Sequence, residues 1–358
     1  MLLSSRLTMA LFVFGAGATR GCSFVDPATF ACLPPLDRDF FTQLQRVANR
    51  KHNALVRAVM RDVVELFGFN FDVTMETVFT TLEHNIRMLK TTGIHWDYNL
   101  QQLKEKRDRL EQAIAAVLEE SLTENVAGAS SLSPRECAYH AEFVAAVVQP
   151  RDVLITFNYD CLLDFALKRY GDYKWNARYG YGFNLGKSRD LLSGDDFWQP
   201  TAPAPQPETI RLFKLHGSLH FQIATTSTPP GVTLKQRPYT KQSGTKLQFS
   251  IIPPEWMKQF DSPAFSRIWS QASNSIHQAR HIVLVGYSLP PTDLHSTALF
   301  RTSVRRNHLR SLVLVNPDRE TRRRTRSVLQ RGLTANTVVL SFDSLPEFLA
   351  ADRTVWDV

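Results

Sequence analysis

The chain is expected to fold as an α/β protein built on a doubly wound parallel sheet. Two observations predict this. Short, nearly continuous apolar runs recur at Met9–Phe14, Val153–Phe157, Arg211–Leu215, Phe249–Ile252, His281–Val285, Leu312–Val315 and Thr337–Phe342. None alternates apolar with polar, so each suits a strand covered on both faces, as parallel strands are. Helical stretches lie between several of them, which is the pattern of crossover units.

The first run leads into Gly15-Ala16-Gly17-Ala18-Thr19-Arg20-Gly21. A buried strand followed by such a turn can present backbone N–H groups and a helix start to a dinucleotide pyrophosphate. The match to G-x-G-x-x-G is imperfect, because the third glycine comes at position 21. A plain glycine turn after a strand remains open as the other reading. Arg6 and the Met9–Phe14 run also pass for a secretory signal. The strand reading is preferred because it gives the glycines a use.

From Asp37 to Val148 the pattern is helical almost throughout. Phe40–Phe67 carries Leu44, Val47, Leu55, Val59, Val63 and Leu66 at three- and four-residue steps. Met75–Leu89 and Leu100–Leu118 look alike, and Ser133-Pro134-Arg135-Glu136 reads as the capped start of another helix. Residues 37–148 are therefore expected to form an inserted helical module, with 1–36 and 149–358 making the sheet domain. Pro200–Glu208 and Thr225–Lys246 read as loops.

Composition narrows the class. A chain of 358 residues, 43% hydrophobic and 21% charged, is an ordinary globular protein, which excludes wholesale disorder. No apolar run reaches the ~20 residues of a membrane span, so no membrane partner is expected. Cys22, Cys32, Cys137 and Cys161 are scattered with no C-x-x-C pair. Neither a four-thiolate zinc site nor a disulfide framework is expected, and reduced thiols in a cytoplasm are the simpler reading. Residues 301–331 hold ten arginines, no lysine and two acids, which accounts for the whole chain's net +8. This is either a solvated helix face or a docking patch for nucleic acid or an acidic partner.

Four further strand ends carry polar residues. Thr156-Phe157-Asn158-Tyr159-Asp160 offers Asn158 and Asp160, as ligands or as helix caps. His216, in Leu215-His216-Gly217-Ser218, can accept a proton, although a lone histidine is more often structural. Val285-Gly286-Tyr287-Ser288-Leu289-Pro290-Pro291-Thr292-Asp293 offers Gly286 for close ligand approach and Ser288 as a donor. Asn316, in Val315-Asn316-Pro317-Asp318, can bond a ribose hydroxyl.

As an ordered set, GAGATRG, TFNYD, KLHGS, GYSLPPTD and LVNPD make the chain resemble the SIR2-like branch of the sirtuin superfamily. The resemblance implies a Rossmann-like domain that takes NAD+ as its substrate. It implies that Gly15, Ala16, Gly17, Ala18 and Thr19 cradle the pyrophosphate, and that Asn158 and Asp160 hold the nicotinamide ribose and carboxamide. His216 would act on the ribose hydroxyls, with Gly286, Ser288 and Asn316 at the adenosine half. The chain also departs from sirtuin deacylases. It lacks the four-cysteine zinc module, has Phe157 in place of the glutamine before the asparagine, and reads Gly-Cys-Ser-Phe at 21–24. Similar zinc-less members look like NAD hydrolases of prokaryotic anti-phage defence. The expectation is therefore NAD+ hydrolysis by Asn158 and His216 with no bound metal. The alternatives are an NAD or ADP-ribose sensor, and a deacylase or ADP-ribosyl transferase. Control is expected from homo-oligomerisation or from a partner ATPase of the HerA type.

Overall fold

The computed structural model describes residues 8–94, 97–125, 132–183, 185, 197–223, 231–239, 249–254 and 262–352. Six strands form one sheet: β1 (Ala10–Phe14), β2 (Val153–Thr156), β3 (Arg211–Lys214), β4 (His281–Val285), β5 (Ser311–Val315) and β6 (Val338–Phe342). Every pairing is parallel, and the spatial order is β6-β5-β4-β1-β2-β3. Read from the other edge this is 3-2-1-4-5-6, the Rossmann order, in which the chain reverses direction between β1 and β4. The four inner strands are apolar because helices cover both faces; β1, β2, β4 and β5 are buried along their whole length.

One helix layer comprises α6 (Ala138–Glu142), the π-turn Phe143–Val147, α7 (Leu162–Tyr170) and α12 (Leu345–Ala350). Phe143 sets it on the sheet, with its ring edge-on to Phe12 and Phe14 at 5.0 Å each. A second layer comprises α9 (Pro263–Gln278), α10 (Leu294–Ser303) and α11 (Arg319–Val328). The short α1 (Ala16–Arg20) follows β1, and α8 (Ala177–Gly180) packs near β3. Asp152 fixes the start of β2 to β1 by accepting the Ala10 N–H at 2.9 Å.

Between α1 and α6 lie α2 (Phe40–Gln45), α3 (Asn53–Phe67), α4 (Met75–Thr92) and α5 (Leu100–Leu122). They enclose a second apolar cluster around Phe40, Leu44, Phe79, Leu82, Leu103 and Leu110. Three local expectations fail here and elsewhere. Phe40–Phe67 is two helices, broken where the Asn49 side chain accepts from Lys51 N–H and its own N–H donates to Glu120. Ser133–Pro134 starts no helix. It pairs antiparallel with Thr123–Glu124, and α6 begins later, capped by the Ser23 hydroxyl accepting from Ala138 N–H at 2.7 Å. Residues 249–252 add no strand to the main sheet. Ser250–Ile251 pairs antiparallel with Gly217–Ser218, because Gly217, at φ 79°, turns the chain out of β3's line. Within the expected loop at 225–246, Val232–Leu234 pairs with Phe221–Ile223, and most of the remainder lies outside the described residues. Among the described residues, no helix is long and apolar enough to cross a membrane.

Candidate active site

Parallel register brings five strand ends to one edge. Phe14 pairs with Thr156 and Val285, Thr156 with Lys214, and Val285 with Val315. Gly15, Asn158, His216, Gly286 and Asn316 follow within two residues of these positions. Ligands of doubly wound sheets bind at this edge, in the crevice where strand order reverses. Here that crevice lies between β1 and β4.

Backbone fills the floor of the crevice. Gly15 N–H donates to Val285 O (3.0 Å), Gly17 N–H to Gly286 O (2.9 Å) and Ala18 N–H to Gly15 O (2.9 Å). A methyl group on Gly286, itself at φ 61°, would lie 2.1 Å from Ala18 N, and one on Gly15 would lie 2.5 Å from Tyr287 Cα. Gly286 therefore admits the glycine loop, where sequence reasoning expected it to admit a ligand. Ala16 and Gly21 are the exposed residues of the turn.

Asn158 locks this floor to β2. Its Nδ2 donates to Gly15 O and to Thr19 Oγ1, each at 3.0 Å. The carbonyl of Gly15 can only accept, so Nδ2 is the atom turned toward it. Thr19 Oγ1 in turn donates to Asp160 Oδ2 at 2.7 Å, while Asp160 Oδ1 accepts Leu162 N–H at 3.0 Å. Asp160 thus both caps α7 and ends an Asn158–Thr19–Asp160 chain of hydrogen bonds, of which Thr19 and Asp160 are buried.

His216 packs against Phe157. The Phe157 ring stacks on Tyr287 at 4.1 Å and 9°, and His216 meets it edge-on at 5.0 Å. His216 Nε2 lies 3.7 Å from Asp293 Oδ2. Asp293 is held by Ser296 Oγ (2.6 Å), Ser296 N–H (3.2 Å) and Tyr287 OH (3.2 Å). A carboxylate so placed stabilises a protonated imidazole and favours His216 as a proton acceptor. In the sequence Asp293 is the last residue of the Val285–Asp293 segment and shows no role of its own. An aspartate after Pro-Pro-Thr at a helix start reads as a cap, and Asp293 is one.

Acids dominate the electrostatics near the histidine. Burial first, then Asp293, Glu111, Asp37 and Glu76, push the Tyr159 phenol well above its ordinary pKa. Tyr287 is raised likewise, by burial and then by Asp293. Glu76 reaches in from α4 and accepts from the Thr292 hydroxyl. Asp37 fixes it there by accepting Glu76 N–H at 2.8 Å. At the β5 side the charge reverses. Arg324 donates to Ser288 O (2.6 Å) and Leu289 O (3.1 Å), holding Leu289 at φ 44°, a strained value for leucine. The Ser288 side chain is exposed, and Asn316 Oδ1 accepts Asp318 N–H at 2.9 Å, forming its own turn.

A family model described as the SIR2-like domain matches residues 152–335. The chain belongs to this family. The matched span of the SIR2-like protein runs from the start of β2 to just short of β6. It contains Asn158, Asp160, His216, Gly286, Asp293 and Asn316 but not the glycine turn. Membership ties the chain to the NAD-dependent chemistry of the sirtuin superfamily. No curated protein matches the chain.

Proposed function

We propose that this SIR2-like protein hydrolyses NAD+ at the nicotinamide–ribose bond, releasing nicotinamide and ADP-ribose. The observation that carries the reading is the Asp293–His216 pair in an acidic wall, with an asparagine bonded to the glycine floor at the end of the neighbouring strand. The leaving nicotinamide is a pyridinium in the substrate, and positive charge moves onto the ribose as the bond breaks. Fixed negative groups at Asp293 and Glu76 favour both cations. Asn158 Oδ1 orients a ribose hydroxyl or the attacking water. His216 takes the proton from that water, directly or through a hydroxyl, and Asp293 steadies the charged ring. Base assistance of this kind contributes roughly 10²–10⁴-fold. The ribose–phosphate half lies toward Ala16, Ser288 and Asn316, on the side where Arg324 supplies positive charge.

The decisive assay incubates purified protein with NAD+ and separates nicotinamide, ADP-ribose and acyl-ADP-ribose. Nicotinamide and ADP-ribose in equal amounts, without any acyl-peptide, are expected. His216→Ala and Asn158→Ala should each lower turnover by about 10²-fold or more in a protein that still folds and melts cooperatively, with Asn158→Ala melting somewhat lower because it loses its two bonds to the glycine turn. Wild-type turnover in either folded variant removes the assignment. Binding without turnover indicates a sensor, and dependence on an acyl-peptide indicates a deacylase.

Such an activity depletes a cell of NAD, which suits an effector of anti-phage defence that is held silent until triggered. The Glu76–Thr292 contact supplies a route for control, since it links the inserted helices to the loop that carries Asp293. Self-assembly or a HerA-type ATPase acting on those helices would use it.

A further inference from the structure

Just past the glycine turn, three metal-ligand side chains meet in the interior. Cys22 follows the end of α1, and Cys137 and His140 stand at the head of α6. The three are 2–3% exposed. His140 Nδ1 lies 3.1 Å from Cys137 Sγ and 3.9 Å from Cys22 Sγ, and all three donor atoms fall within 4.8 Å of one another.

We propose that Cys22, Cys137 and His140 bind a thiophilic metal ion, zinc above all, which fastens the end of the glycine turn to the head of α6.

Geometry is the first support. With Zn–S near 2.3 Å and Zn–N near 2.0–2.1 Å, the sulfur–nitrogen edge of a tetrahedron is about 3.6 Å. The two sulfur–nitrogen distances, 3.1 and 3.9 Å, straddle that value. Both sulfurs face the same ring nitrogen. One nitrogen serves one hydrogen bond at a time, whereas a metal ion serves all three atoms together. The fourth position of the tetrahedron is left for water.

Burial is the second support. Cys22, Cys137 and His140 are all shut away from bulk water, where a metal ion gives two soft sulfurs and an imidazole nitrogen a shared partner. The other buried cluster, Cys161, Asp164 and His220, differs in that Lys214 Nζ sits 2.8 Å from Asp164 and supplies the positive charge itself. The cysteines at 22 and 137 lie far apart in the chain, so sequence spacing gives no sign of the site, and it is unlike a four-cysteine module.

The test measures metal in the full chain purified without chelator. Roughly one zinc per chain is expected, largely lost in Cys137→Ser and in His140→Ala. After chelation, wild-type protein titrated with Co2+ should develop a thiolate-to-cobalt charge-transfer band in the near ultraviolet, and Cys22→Ser should weaken it. The cobalt spectrum of the wild type decides the matter even where the variants fail to fold. Wild-type protein that contains no zinc and develops no such band overturns the proposal. So does a mass two hydrogen atoms low that maps to a Cys22–Cys137 disulfide.

Discussion

At Gly286 the backbone of one strand end lies against the backbone of another, with Ala18 N where a methyl group would go. Alanine there must displace the glycine turn and also hold a left-handed φ. Gly286→Ala should therefore cost about 1–3 kcal/mol, lowering Tm by roughly 2–4 °C per kcal/mol. Differential scanning calorimetry checks this, and an unchanged Tm would mean the interlock is loose. The same residue shows how far single positions were legible. Its glycine identity signalled close approach, but not of what. Asn158 and Asp160 were readable as ligand or cap because the chemistry of the two roles is the same. The structure gives Asp160 the cap and a bond to Thr19, and gives Asn158 the glycine turn. Thr19 stood out only as part of the turn, since its bond to Asp160 joins residues 141 apart.

Between β2, β3 and α7 the core holds a polar group that bears on stability. Lys214 and Tyr181 bond Asp164, and His220 lies beside it, all fully buried or nearly so. Burial pushes the His220 pKa down to about 3, outweighing Asp164's upward pull. An unfolded histidine titrates near 6.5. From about pH 6.5 to about 3, the unfolded chain binds a proton that the folded chain refuses, so stability falls as pH falls through that window. Asp164 adds loss in the same direction at the acid end. Despite burial, Lys214 and His220 hold its pKa below the ordinary carboxylate value. Thermal melts from pH 7 to pH 4 should show a fall that is flatter in His220→Gln, and equal slopes would count against the buried neutral ring. Elements were legible where periodicity was long, as in α4 and α5. They were not where a partner from elsewhere in the chain decided the boundary, as Ser23 does for α6 and Gly217 does for the 249–252 run.

Over the whole molecule, six of the seven apolar runs are strands of the parallel sheet, because burial on both faces leaves that mark on its inner strands. Their spatial order left none, since parallel pairing constrains register and not neighbours. The arginine-rich segment is likewise plain in sequence but divided in the fold. Arg324 braces the Ser288–Leu289 loop and Arg322 pairs with Asp343, whereas Arg319, Arg323 and Arg326 of α11 and Arg301, Arg305 and Arg306 are exposed. If this face meets nucleic acid, Arg319, Arg323 and Arg326 changed together to Glu should weaken duplex DNA binding and shallow its salt dependence, leaving melting unchanged. Fluorescence anisotropy at two salt concentrations checks it. Unaltered binding would assign the face to solvent or to an acidic protein.

The interlocked glycines also bear on how a ligand is met. A turn whose amides already hold the next strand has little conformational entropy left to lose, so the platform is in place before anything arrives. Whatever governs turnover then has to move the walls: the histidine, its carboxylate and the helix that touches them.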